Sequence, residues 1–131
     1  MPGKIDWSLN VVVAGGPKLS VSRSLEVEAY DKIDVAIPKK GDPGANSTKV
    51  SVQPSGEGKV QFLLIISSLY DDKLTYKVDG GTEVMLDAPQ LLTGDGLVGR
   101  LAVTQKEFDF KNDVDPPKEA LVQILVGRNA K

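Results

Sequence analysis

The chain contains no cysteine and no histidine in 131 residues. Without thiolates there is no disulfide framework, no cysteine nucleophile and no thiolate metal site. Without imidazole there is no serine–histidine–aspartate triad and no ordinary zinc centre. Any reaction would have to run on Asp, Glu, Lys, Tyr, Ser or Arg. Aromatic residues are also scarce, at one Trp, three Tyr and three Phe, too few for a sugar-stacking platform. Charge of either sign is not in excess: 16 basic and 18 acidic residues leave a net −2. Beyond Lys39-Lys40 there is no basic block, so the footprint of a nucleic-acid binder is missing. Long hydrophobic runs are absent too. The longest falls far short of the roughly 20 residues that a membrane-spanning helix needs, so no membrane span is expected. Met1-Pro2-Gly3-Lys4 opens no apolar signal segment, and the expectation is a soluble cytoplasmic protein.

What the chain does have is alternation. Ile5, Trp7, Leu9, Val11 and Val13 alternate with mostly polar neighbours, which predicts a first strand over 4–13 with one buried face. Ala14-Gly15-Gly16-Pro17 ends it. From Leu19 to Ile37 the apolar residues keep odd parity without a slip. That run exceeds an ordinary strand, so breaks are expected near Arg23-Ser24 and Tyr30-Asp31-Lys32. Pro38 to Ser47 reads as an exposed loop, and Thr48 to Gln53 as a short strand.

The central stretch is Val60 to Tyr70. Phe62-Leu63-Leu64-Ile65-Ile66 is apolar at every position, so both faces of that strand require cover. Strict alternation places Val60, Phe62, Leu64 and Ile66 on one side, and Leu63, Ile65 and Leu69 on the other. Lys73–Val78 and Glu83–Leu86 predict a hairpin about Asp79-Gly80-Gly81, Gln90–Leu92 a single helical turn, and Leu97–Val103 and Glu107–Phe110 further strands. The tail over 120–126 mixes helix and strand signals. Asp115-Pro116 fits a helix start and Gly127 a helix stop, whereas Val122, Ile124 and Val126 alternate as β-branched residues do in a strand, and strand is favoured. Together these segments predict one all-β domain over 1–131, an antiparallel β-sandwich, jelly-roll-like, of about eight to ten strands.

The doubly apolar strands point to self-association. An oligomer interface is expected on Leu63, Ile65, Leu69, Val122, Ile124 and Val126. The expected function is therefore a non-enzymatic structural or protein-interaction module that forms a homo-oligomer, with no resident cofactor.

A calcium- or carbohydrate-binding module is the alternative. Asp109, Asn112, Asp113 and Asp115 supply the oxygen donors that Ca²⁺ takes. They lack the glycine and terminal glutamate of an EF-hand loop, so a solvated turn competes. Gly94, Asp95, Gly96 and Arg100 combine close backbone approach with a guanidinium fork for an anion. No dinucleotide fingerprint results, because a strand rather than a helix follows. Glu26 and Glu28 share a strand face, as a glycosidase pair would, without a cleft, and read as a solvated surface. Gly41 to Lys49 has the letters of a phosphate loop in the wrong order. A carboxylate-driven hydrolase or lyase ranks last.

Overall fold

A computed structural model describes residues 3–51, 60–79, 81–94 and 107–128. The ten strands it shows are β1 (Gly3–Val12), β2 (Lys18–Val27), β3 (Ala29–Ile37), β4 (Thr48–Ser51), β5 (Val60–Ser67), β6 (Asp71–Val78), β7 (Val84–Leu86), β8 (Gln90–Thr93), β9 (Glu107–Asn112) and β10 (Ala120–Arg128). All pairings are antiparallel, and there is no helix among the described residues. It follows that none is long and apolar enough to cross a membrane.

β1 and β2 form a separate two-stranded ribbon, while the other strands make a first sheet in the order β3-β10-β5-β8 and a second in the order β4-β9-β6-β7. The inward face of the first sheet is written in rows. Ile33, Ile124 and Ile65 lie side by side across β3, β10 and β5, and Val126, Leu63 and Leu92 make a row across β10, β5 and β8. The second sheet answers with Tyr76 beside Phe110, and Val78 and Val50 flanking Phe108. These side chains belong to one buried cluster that draws on both sheets. Tyr76, Phe108 and Phe110 form an aromatic centre with ring centroids 5.6 to 6.2 Å apart, in the tilted and offset arrangements that ring quadrupoles favour.

Burial pushes the Tyr76 hydroxyl up to about 12, and the group donates its proton to Gln90 Oε1. A tyrosine in the unfolded chain ionises near pH 10. The stabilising difference is thus fully present below about pH 10 and is lost as pH rises towards about 12, a loss of roughly 2 to 3 kcal/mol. Urea denaturation at about pH 9 and about pH 11.5 should show that loss, and Tyr76→Phe should flatten it.

Several expectations change in detail. The long parity run breaks once, at Glu28, whose N–H donates to the Arg128 carbonyl at 2.9 Å. The chain passes there from ribbon to first sheet, and neither Arg23-Ser24 nor Tyr30-Asp31-Lys32 interrupts a strand. Gln90–Thr93 is strand rather than a helical turn, because Leu91 and Leu92 pair with Leu64 and Leu63 on β5. The ambiguous tail is strand β10, sandwiched between β3 and β5. A register shift near Gly127 pairs Arg128 with Val60 while Gly127 pairs with Phe62. That bulge turns Val60 into the core and leaves Phe62 on the outward face, so the two do not share a side. The expected strand over 97–103 lies outside the described residues.

Candidate interaction site

The β1–β2 ribbon is an arm. Its ten residue pairs run without a register fault from Gly3 opposite Val27 to Val12 opposite Lys18. The turn is closed by the Val13 N–H on the Pro17 carbonyl at 3.0 Å and the Gly16 N–H on the Val13 carbonyl at 2.7 Å. Gly15 takes φ of +72°, a left-handed conformation that a side chain would strain.

The two faces of the arm differ in chemistry. One carries Asp6, Ser8, Asn10, Val12, Lys18, Ser20, Ser22 and Ser24, and two bonds cross the strands on it: Ser24 Oγ donates to Asp6 Oδ1 at 2.6 Å, and Ser20 Oγ to Asn10 Oδ1 at 2.8 Å. The other pairs Ile5 with Leu25, Trp7 with Arg23, Leu9 with Val21 and Val11 with Leu19.

Among the described residues, the body covers the base of that apolar face. Gly127, on the outward side of β10, is a position where a Cβ would stand 2.8 Å from Ile5 Cδ1, 3.1 Å from Val27 Cγ1 and 3.4 Å from Phe62 Cβ. The absence of a side chain at Gly127 is what lets the ribbon seat there. Beyond the base no described strand of the body packs extensively along the arm. Six of the nine large hydrophobic residues exposed among the described residues are therefore on it: Leu9, Val11, Val12, Val13, Leu19 and Val21, with Leu19 70% exposed. An isolated two-stranded hairpin is marginal in water, and an exposed apolar face of this kind makes the arm a candidate interaction site.

A second apolar surface lies on the outward face of the first sheet. Ala36, Ile66 and Leu121 line an open groove of about 560 Å³ together with Asp34 and Gln123. Leu121 is 53% exposed. Half-buried Leu91, Leu64 and Leu125, paired side by side, carry the surface on towards Phe62 and Gly127. At the groove Lys32 Nζ donates to Asp34 Oδ1 at 2.7 Å, and that bond holds the Asp34 carboxyl below the usual carboxylate range.

The residues expected at an oligomer interface occupy a different place. Leu63, Ile65, Val122, Ile124 and Val126 are buried in the chain's own core, and Leu69 is half-buried against it. The parity argument identified two apolar faces on β5 and β10, but the face bearing these residues is the one closed by the second sheet. The opposite side carries Leu64, Ile66 and Leu125, half-buried among the described residues, and exposed Leu121.

The expected calcium ligands are dispersed by strand alternation. Asp109 points out of the second sheet and accepts from Ser47 Oγ at 2.8 Å. Asn112 points into the core, where its side chain bonds Lys118 and Val114. Asp113 makes a 3.6 Å ion pair with Lys40, and Asp115 is exposed ahead of Pro116. No group of acidic residues able to hold a metal ion occurs among the described residues.

Of the expected anion loop, Gly94 has φ of +89° and donates its N–H to the Gln61 carbonyl at 3.0 Å. Asp95, Gly96 and Arg100 lie outside the described residues.

Sequence reasoning missed the arm, reading 4–13 as a strand with a buried face. The signal was available in Val11-Val12-Val13 running straight into Gly15-Gly16-Pro17. A strand that is apolar on both faces next to a turn carries that surface out to the tip.

No family model, curated protein or solved structure matches the chain.

Proposed function

We propose that this protein is a non-enzymatic structural module, a jelly-roll-like β-sandwich that self-assembles into a homo-oligomer through its hairpin arm. The strand order supports the jelly-roll part: β3-β10-β5-β8 facing β4-β9-β6-β7 places successive strands largely in alternate sheets, as two interleaved Greek keys require. Such folds serve many functions, so the topology alone does not choose among them. The observation that carries the function is the arm. A well-registered ribbon leaves Leu9, Val11, Leu19 and Val21 exposed, where burial against a partner would contribute roughly 1.5 to 3 kcal/mol for each fully covered side chain before the costs of association.

Light scattering behind size exclusion tests the proposal. The native chain is expected to run as one discrete oligomer, and Leu19→Asp combined with Val21→Asp to run at the 14.0 kDa of a single chain. The melting temperature of the body should change little, because neither side chain belongs to the core. A native protein that is monomeric at micromolar concentration overturns the proposal.

A further inference from the structure

We infer that the arm of one copy seats in the groove on the outward face of the first sheet of a second copy. The inference rests on the self-assembly proposed above and names the surface that receives the arm. The first ground is continuity. Each chain already packs its own ribbon base, through Ile5 and Val27, onto the outward face of the first sheet at Gly127. The outward face continues with half-buried Leu64, Leu125 and Ile66 and exposed Leu121, interrupted by Gln123 and by the paired Lys32 and Asp34. The arm's apolar face likewise continues past its covered base to Leu9, Val11, Leu19 and Val21. Two surfaces rich in apolar side chains thus each extend beyond the contact they make within the chain.

Geometry makes the match between copies rather than within one. β2 leads into β3 with only Glu28 between them, and β3 then runs from Ala29, opposite Arg128, to Ile37, opposite Ala120. The groove at Ala36 and Leu121 lies at the far end of β3 from the arm's attachment, and no described strand of the body packs extensively along the arm. Both surfaces are antiparallel pleats. Side chains on one face repeat every second residue, about 7 Å along the strand, and such faces pack about 10 Å apart. The Leu9/Val21 and Val11/Leu19 rows of the arm therefore have the spacing of the Ile66/Gln123 and Ala36/Leu121 rows of the groove.

The docking face brings no charge to the groove: from Ser8 to Ser22 the one charged residue is Lys18, which pairs with Val12 on the opposite, polar face of the arm, and Asp34 at the groove already has Lys32 as its partner. A second copy brings the same arm, so each association supplies both partners of the contact.

The cysteine-free chain permits a clean test. Single variants Leu19→Cys and Val21→Cys on the arm are mixed with Leu121→Cys and Ala36→Cys on the groove and oxidised. Met85→Cys, exposed on the second sheet, is the control. At least one arm–groove mixture is expected to give covalent dimer about tenfold or more above the control, because seating raises the effective concentration of the two thiols. Leu121→Asp should also lower the solution mass to that of the single chain without lowering the melting temperature. A native oligomer that gives no arm–groove adduct above the control, or whose arm variants cross-link as well alone as in the mixtures, overturns this seating and leaves self-assembly standing. A native monomer overturns both.

Discussion

Phe110→Ala is expected to cost about 3 to 5 kcal/mol, the range for deleting a buried aromatic ring and leaving a cavity. Phe110 is fully buried on β9 at the middle of the second sheet, with ring centroids 5.6 Å from Tyr76 and 6.2 Å from Phe108. The ring is one of three that fill the space between the sheets, so its loss removes area burial and two aromatic contacts together. The neighbours are fixed on hydrogen-bonded strands on either side, β4 and β6, which limits their collapse into the void. Against a typical total of about 5 to 15 kcal/mol for a domain, the variant would be near its unfolding threshold. Urea denaturation should show the midpoint falling with an unchanged slope. Phe110→Leu should lose less, since it keeps most of the volume. A loss below about 1 kcal/mol for the alanine variant would mean that the aromatic centre is not a packed core.

Asn112→Leu is expected to cost about 2 to 4 kcal/mol, although it exchanges a polar core residue for an apolar one. The side chain is almost fully buried, Nδ2 donates to the Lys118 carbonyl at 2.7 Å, and Oδ1 accepts from the Val114 N–H at 3.2 Å. Leucine breaks both bonds and withdraws the partners of two backbone groups, and an unsatisfied buried group costs more than a made hydrogen bond contributes. The same bonds hold the link between β9 and β10, so the effect should appear in hydrogen exchange over 113–119 as well as in global stability. Thermal melts with and without calcium discriminate this role from metal ligation. Stabilisation by bonds to Lys118 and Val114 gives equal native melting temperatures in both conditions. A ligand role would raise the native temperature with calcium by mass action and abolish that rise in the variant.

Much of the architecture was legible in the sequence because alternation of apolar and polar residues is a local record of strand geometry. Glu107–Phe110, Lys73–Val78 and the 120–126 tail are all strands where that record is clear. It was less informative where a residue's face depends on another strand. Val60 and Phe62 are two apart and have opposite faces, because the register with β10 shifts at Gly127. Gln90–Leu92 is too short to carry a period of its own, and becomes strand by pairing with β5.

The candidate site was half legible for the same reason. The two apolar faces of β5 and β10 follow from composition, but which face closes the core depends on where the second sheet lies, and that puts Leu63, Ile65, Val122, Ile124 and Val126 inside. Acidic residues close in sequence from Asp109 to Asp115 looked like a ligand set. Strand alternation sends Asp109 to the surface and Asn112 to the core.

By itself the sequence determined an all-β chain without thiol or imidazole chemistry, because composition and period are properties of the residues alone. Only the tertiary structure decided that the alternating segment over 3–27 is an arm. Alternation specifies that a strand has an apolar face, whereas burial of that face requires another surface within reach, and among the described residues Leu9, Val11, Leu19 and Val21 stay exposed.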